Sequence, residues 1–404
     1  MNNITMKIKG SEIRLSENII EAAGDEFTAR LLINRGITEP SKIKEVLEND
    51  KFTLSSPWEF HEMSTAVERI IKAIINNEMI AIYGDYDVDG VTSTAVFLEN
   101  LSEYTKNLIF HVPDRFSEGY GMNLEVIKAL SKKGVNLVIT CDCGISNYEE
   151  VELIKALDMD VIITDHHNLP DKLPDAAAVI NPKLLQEGHK ARDISGCATA
   201  YFVCRAIGER LGNFNEHKSL DIVALSLIAD VVPLLGENRS LIKMGLPKLL
   251  NPKRLGLIKL FEIAGRKSKI MNEEDVAYQI APRLNAAGRL DSARLAVKLL
   301  IAKNEKKAQV LAEEIDRLNS NRKAQQEEII KQAIEMAEAE GMDSPIWILY
   351  KPEWHHGIIG IAAGRLCEEY NKPTILLSLK EDGTTVVGSA RSIDSVDMFN
   401  LIKQ

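Results

Sequence analysis

The chain has 404 residues, 45% of them apolar and 27% charged, with a formal net charge of −10. That length supports more than one hydrophobic core, and the composition is that of a globular protein rather than a disordered or fibrous one. The acidic total excludes a surface coated in basic charge, though not a local basic groove. No apolar run approaches the roughly 20 residues of a membrane span. MNNITMKIKG at the N-terminus lacks the apolar core of a signal peptide. Five cysteines (Cys141, Cys143, Cys197, Cys204, Cys367) form no disulfide framework, which suits a reducing, cytoplasmic setting.

Residues 1–65 read as short helical pieces, such as EFTARLLINRGI and PSKIKEVLEND, broken by Gly and Pro. From residue 66 the pattern becomes strand and helix in alternation. MIAIY (79–83), NLIFHV (107–112), NLVITC (136–141) and DVIIT (160–164) are short β-branched runs, separated by VTSTAVFLENLS, NLEVIKALSKKG and NYEEVELIKAL. Such βαβ units predict an α/β domain over 66–302, with a mostly parallel sheet covered by helices. Apolar helical segments follow at 196–212 and 219–232. Residues 303–340 predict one long helix, with Leu311, Ile315 and Leu318 in one stripe and Ile330, Ile334 and Ala337 in another. Its middle is polar all round, as expected of a helix connecting two bodies. Residues 341–404 predict a smaller α/β domain, from IWILYK, GIIGIAAGRLCEEY, TILLS and TTVVGSARS.

In an open parallel sheet, ligands bind beyond the carboxyl ends of the strands. The first strand is followed by Asp85, Asp87 and Asp89, the third by Asp142, and the fourth by Asp165, His166 and His167. A single acidic turn would ordinarily be a helix cap or a solvated loop; three sets at one edge weaken that reading. Carboxylates this close destabilise a fold unless they are protonated or neutralised by cations, so a metal site is predicted. Asp230, set in LSLIADVVPL, reads either as an exposed helix C-terminal aspartate or as a further ligand at the same edge. Oxygen-rich ligation with one or two imidazoles suits Mn²⁺, with Mg²⁺ next, and leaves Zn²⁺ without its usual donors. The ligands suffice for two cations, the device of phosphoester hydrolysis. The thiols of CDC (141–143) read as buried strand-end residues in preference to metal ligands.

GDYDVDG (84–90), CDCG (141–144), TDHH (164–167) and LIADVVPL (228–235) follow the motif order of the DHH phosphoesterase superfamily, which the chain resembles. HVPDRFSEGYGM (111–122), QIAPRLNAAGRLDSA (279–293), WHHGIIGIAAGRL (354–366) and GSARS (388–392) make it similar to the RecJ family of single-strand-specific 5′-to-3′ DNA exonucleases. The resemblance spans roughly residues 50–395. It implies a first metal position at Asp85, Asp87 and Asp142, and a second at Asp89, Asp142, His166 and Asp230. His167, with Asp87 and Asp142, is implied as catalytic, facing the scissile phosphate. Arg115, Arg289, Ser389 and Arg391 are implied as phosphate contacts, a role that arginine forks suit. His355 and His356 read either as anion contacts at a helix start or as capping and core residues; of the two, His356 is taken as the substrate contact. Other branches of the superfamily carry histidine where this chain has Tyr83, a departure that bears on the first metal position.

The resemblance further implies single-stranded DNA with a 5′ end as substrate, a role in repair and recombination, and a single-strand-binding protein and a RecQ-type helicase as partners. The nearer alternative is a DHH/DHHA1 phosphodiesterase acting on short oligonucleotides or cyclic dinucleotides; the other is a non-catalytic scaffold of the same fold. RecJ-type chains continue through a glycine-histidine motif and then usually an OB-type domain, neither of which precedes the end at SVDMFNLIKQ. The small DHHA1-type domain is therefore expected to be partial, with the metal site formed and DNA affinity reduced.

Overall fold

The computed structural model describes residues 15–47, 53–213, 215–265, 272–380 and 382–403. The stretch MNNITMKIKG, read as no signal peptide, lies outside them. The described residues fall in two compact units that divide between Leu54 and Ser55. In the first, helices Glu17–Ala23, Glu26–Ile33 and Pro40–Leu47 enclose a small core around Ala29 and Ile43. Asp25 caps the second helix by accepting from Thr28 N at 2.8 Å.

The second unit is built on a five-stranded, all-parallel sheet of order β2-β1-β3-β4-β5. The strands are β1 (Met79–Tyr83), β2 (Leu108–His111), β3 (Val135–Thr140), β4 (Asp160–Thr164) and β5 (Ala178–Ile180). Four of them follow the β-branched runs of the sequence. β5 is three residues long at the sheet edge, too short to show a period of its own. Helices Val88–Leu101, Leu124–Lys132 and Tyr148–Ala156 make the crossovers. The chain leaves β1 for β2 on one side and then crosses to β3 on the other, so the strand order reverses between β1 and β3. That reversal opens a crevice at the strand ends. The register places Tyr83 beside Thr140, so the loops that follow β1 and β3 emerge next to each other.

Helix Glu305–Glu340 is the long helix. Its first half packs on helices Leu255–Ala264, Ala281–Leu290 and Arg294–Leu300. Its second half contributes Ile329, Ile330, Ala333 and Ala337 to a separate core with Trp347, Trp354, Ile358 and Leu366. That core underlies a three-stranded sheet, β6 (Trp347–Tyr350), β7 (Thr374–Leu379) and β8 (Val386–Arg391), with β6 parallel and β8 antiparallel to β7. The long helix thus serves both cores, which explains its two apolar stripes. The mixed α/β architecture agrees with the class read from the sequence.

Arg254 locks the helical layer behind the sheet. Its guanidinium donates to Glu99 Oε2 at 2.9 Å, to Asp221 Oδ2 at 3.0 Å and to the Leu300 carbonyl at 2.9 Å. Burial pushes the Glu99 carboxyl up, but Arg254, Ser219 and Lys218 more than offset this and hold it below the usual range. Arg254→Met strands two largely buried carboxylates and is expected to cost about 3–5 kcal/mol at pH 7 by urea unfolding. Glu99 is held low in the folded state, so its contribution is complete above roughly pH 4.3, the unfolded value. It is lost as pH falls through the lower folded value, and the gap between native and variant should narrow there.

Candidate metal centre

The acidic turn after β1 runs directly into helix Val88–Leu101. Asp87 is its N-cap, with Oδ1 accepting from Gly90 N at 3.0 Å. Asp89 lies in the first turn and is only 2% exposed. Its carboxylate accepts from Gly196 N at 2.6 Å and Cys197 N at 2.8 Å, the first two amides of helix Gly196–Leu211. The positive end of that helix therefore faces the aspartate. Ser226 Oγ adds a bond to Asp89 at 2.5 Å and lies 2.7 Å from Ser195 Oγ. Residue 196 must be glycine for a further reason: a Cβ there would fall 2.8 Å from Asp142 Oδ1.

Asp142 follows β3 with φ 64, a left-handed conformation. Its amide donates to the Thr164 carbonyl at 3.0 Å, which pins the turn to β4. Cys141 and Cys143 on either side are buried, burial pushes both thiols well up, and their sulfurs lie against the Tyr83 carbonyl. They are core residues.

His166 Nε2 lies 3.1 Å from Asp142 Oδ1, 3.5 Å from Asp89 Oδ2 and 3.8 Å from Asp230 Oδ2. One donor atom each from Asp85, Asp87 and Asp142 lies within 4.8 Å of the others, and the same holds for Asp89, His166 and Asp230, and for Asp142, His166 and His167. Asp230 is the C-cap of helix Leu220–Ala229, so it is both a helix-terminal aspartate and a member of the cluster. Val231 after it has φ 55, a strained value for a β-branched side chain.

Burial pushes Asp85 up to about 7, with the neighbouring Asp87 adding to it. Asp230 is likewise pushed up to about 7, by burial and then by Asp89 and Asp87. Asp87 and Asp142 move in the same direction, by burial first and the Asp89 charge second. Asp85 Oδ1 and Asp142 Oδ1 are buried with no hydrogen-bond donor, the second despite the nearness of His166. Buried acceptors without donors are rare. A hard divalent cation is the partner that such an oxygen-rich set fits.

Asp165 has a different task. Fully buried, it accepts from Ile145 N at 3.0 Å, His166 N at 2.7 Å and His167 N at 3.1 Å, and it lies 2.7 Å from His167 Nδ1. Burial alone would raise its pKa, but these partners bring it below the usual range. The Asp165 bond in turn raises His167. Tyr120 OH, 3.3 Å from His167 Nδ1, approaches the same ring.

On the basic side, the Arg115 guanidinium sits 5.0 Å over the Tyr86 ring. Arg289 donates to the Gly357 carbonyl at 3.2 Å and is pushed down to about 10 by burial and then by Arg115 and Arg322. Arg322 comes from the polar middle of the long helix, where nothing in the local sequence distinguishes it from a solvated charge. His355 caps helix His356–Tyr370 through its Nδ1, which accepts from Gly357 N at 3.1 Å. The His356 ring stands edge-on to Phe116 at 4.6 Å. Ser389 and Arg391 lie on β8 against Gly360 and Gly364 of that helix, in the C-terminal lobe rather than among the carboxylates. Tyr83 is a core residue, its OH accepting from Asn123 N at 3.1 Å.

A parallel sheet with carboxylates and paired histidines at its switch point, joined by a long helix to a small second lobe, is the architecture of a DHH-type protein. The family described as "DHH family, N-terminal domain" matches residues 79–229, and the DHHA1 domain matches 343–404. The single-stranded-DNA-specific exonuclease RecJ of Bacillus subtilis is 38% identical over 94% of this chain, and that of Haemophilus influenzae is 34% identical over 98%. The chain spans 48% of the first relative and 70% of the second. A crystal structure of exonuclease RecJ bound to manganese superposes with a TM-score of 0.77 at 30% identity, covering 87% of each chain. RecJ from Thermus thermophilus in complex with Mn²⁺ gives 0.81 at 27% identity, over 97% of this chain and 56% of that one. The chain belongs to the RecJ family.

Ser195, Gly196 and Ser226 escape a sequence reading because nothing near them in the chain marks them; they matter through Asp89, and Gly196 also through the space it leaves for Asp142. Ser226→Ala removes a buried donor to a buried carboxylate and is expected to lower stability by about 1–3 kcal/mol in urea unfolding without added metal.

Proposed function

We propose that the chain is a metal-dependent exonuclease that hydrolyses single-stranded DNA from the 5′ end and releases mononucleotides. The observation that carries this reading is the convergence of Asp85, Asp87, Asp89, Asp142, His166 and Asp230, with two buried carboxylate oxygens lacking donors. The names and titles of the RecJ relatives support both the substrate and the metal. Asp85, Asp87 and Asp142 would hold one divalent cation, and Asp89, His166 and Asp230 a second, with Asp142 shared. When bound, the ions, Mn²⁺ in preference to Mg²⁺, supply Lewis acidity toward water and phosphate oxygens.

The chain's own groups orient the reaction. Asp165 holds the His167 ring by Nδ1, which leaves Nε2 to face the substrate and hand a proton to the leaving oxygen. Arg115 and Arg289 would grip the phosphodiester by forked bonds, with His356 beside them. Arg115 with Ser389 and Arg391 would seat a terminal 5′-phosphate, which sets the polarity. Single-strand-binding protein and a RecQ-type helicase are the proposed partners, and the cytoplasm the proposed location. Among the described residues no helix is long and apolar enough to cross a membrane.

The decisive assay uses a 5′-phosphorylated, 3′-labelled single strand with Mn²⁺ and compares the native chain with Asp142→Ala and Asp230→Ala. Stepwise loss from the 5′ end is expected in the native sample, with each substitution lowering the rate at least about 100-fold. Digestion untouched by both substitutions overturns the reading. In thermal melts, Mn²⁺ at about 100 times its dissociation constant should stabilise the native chain by about 2.7 kcal/mol. Asp142→Ala should lose that gain.

A further inference from the structure

The acidic turn is held from outside by a helix that carries none of the clustered carboxylates. Val88 opens helix Val88–Leu101, so its amide is one of the donors a helix leaves without an internal acceptor. Asn285 Oδ1 accepts it at 3.1 Å, from 197 positions further along the chain. Asp87, the residue expected to cap, already spends Oδ1 on Gly90 N and its carbonyl on Val91 N at 2.9 Å. Asn285 therefore satisfies the one helix-start amide next to Asp87 that the Asp87 side chain, bonded to Gly90 N, does not cap.

The same helix, Ala281–Leu290, holds the other side of Asp87. Gly288 lies three positions after Asn285, hence on the same face. A Cβ at 288 would come within 2.4 Å of the Tyr86 carbonyl, so only glycine lets the helix lie this close to the turn. The residues before and after Asp87 are thus both fixed by one rigid element. At its C-terminal end, one residue past Gly288, that helix is tied to the C-terminal lobe by Arg289 and the Gly357 carbonyl.

We propose that Asn285 is a positioning residue of the acidic centre: by capping Val88 it fixes Asp87 in place and so sets the affinity for a divalent cation. This rests on reading the cluster as a metal centre. The test is a Mn²⁺ titration of the full chain, followed by the electron paramagnetic resonance signal of free Mn²⁺, with metal-free thermal melts alongside. Asn285→Leu keeps the size and loses the acceptor; it should weaken Mn²⁺ binding 10–100-fold, the usual effect of removing a partner that orients a ligand. Asn285→Asp keeps the acceptor and should bind close to the native value. A purely structural Asn285 would lower the metal-free melt of Asn285→Leu yet leave Mn²⁺ affinity intact below the melt, and that result overturns the proposal. So does an Asn285→Asp variant as weak as Asn285→Leu. If Asn285→Leu does not fold, Asn285→Ser, too short to reach Val88, takes its place with the same expectation. A native chain that binds no Mn²⁺ overturns the metal reading itself and this inference with it, a result distinct from native binding that Asn285→Leu leaves unchanged.

Discussion

The second unit is organised around one electrostatic constraint: several carboxylates share a buried crevice, and each raises the cost of ionising the next. Without compensation, close buried aspartates would take up protons or open the structure. The chain compensates them unequally. Asp89 receives two amides at a helix N-terminus and a serine hydroxyl, whereas Asp85 and Asp142 each keep a buried oxygen with no donor. The first arrangement fixes a carboxylate in place. The second leaves acceptor capacity for something that is not protein.

Sheet topology provides the place and backbone strain provides the aim. The reversal of strand order between β1 and β3 brings the acidic turn and Asp142 together. Asp142 reaches the cluster through a left-handed turn, and Asp230 is followed by another at Val231. Non-glycine residues in sparsely populated conformations cost about 1–3 kcal/mol each and persist when their surroundings over-determine them. Here the surroundings are visible: the Asp142 amide is bonded to β4, and its side chain sits in space that only Gly196 leaves open.

The paired histidines show how adjacent residues acquire separate tasks. His166 turns Nε2 toward Asp89, Asp142 and Asp230, while His167 turns Nδ1 to Asp165. Asp165 is buried and occupied by three backbone amides as well as the imidazole, so it orients the pair rather than joining the cluster. With four donors on its two oxygens Asp165 has no acceptor position left for a cation, whereas Asp89, with three, keeps one on Oδ2.

Much of this was legible in the sequence, because the signals are local. β-branched runs of four to six residues marked four of the five parallel strands, and Asp, His and Arg are chemically conspicuous wherever they stand. The long helix showed in its own apolar stripes. Other features belong to residues with no local signal. β5 is a three-residue edge strand, defined by pairing with β4. Ser226 and Asn285 are ordinary polar residues until folding sets them against Asp89 and the Val88 amide. His355 and His356 could be told apart only once helix His356–Tyr370 had formed, with one as its cap and the other against Phe116. Sequence alone determines which groups can carry charge and which segments alternate in hydrophobic period, since both are properties of residues and their near neighbours. Which carboxylate is satisfied and which is left wanting was decided by the tertiary structure, because a hydrogen bond between positions more than a hundred residues apart depends on where the sheet and helix ends bring the backbone.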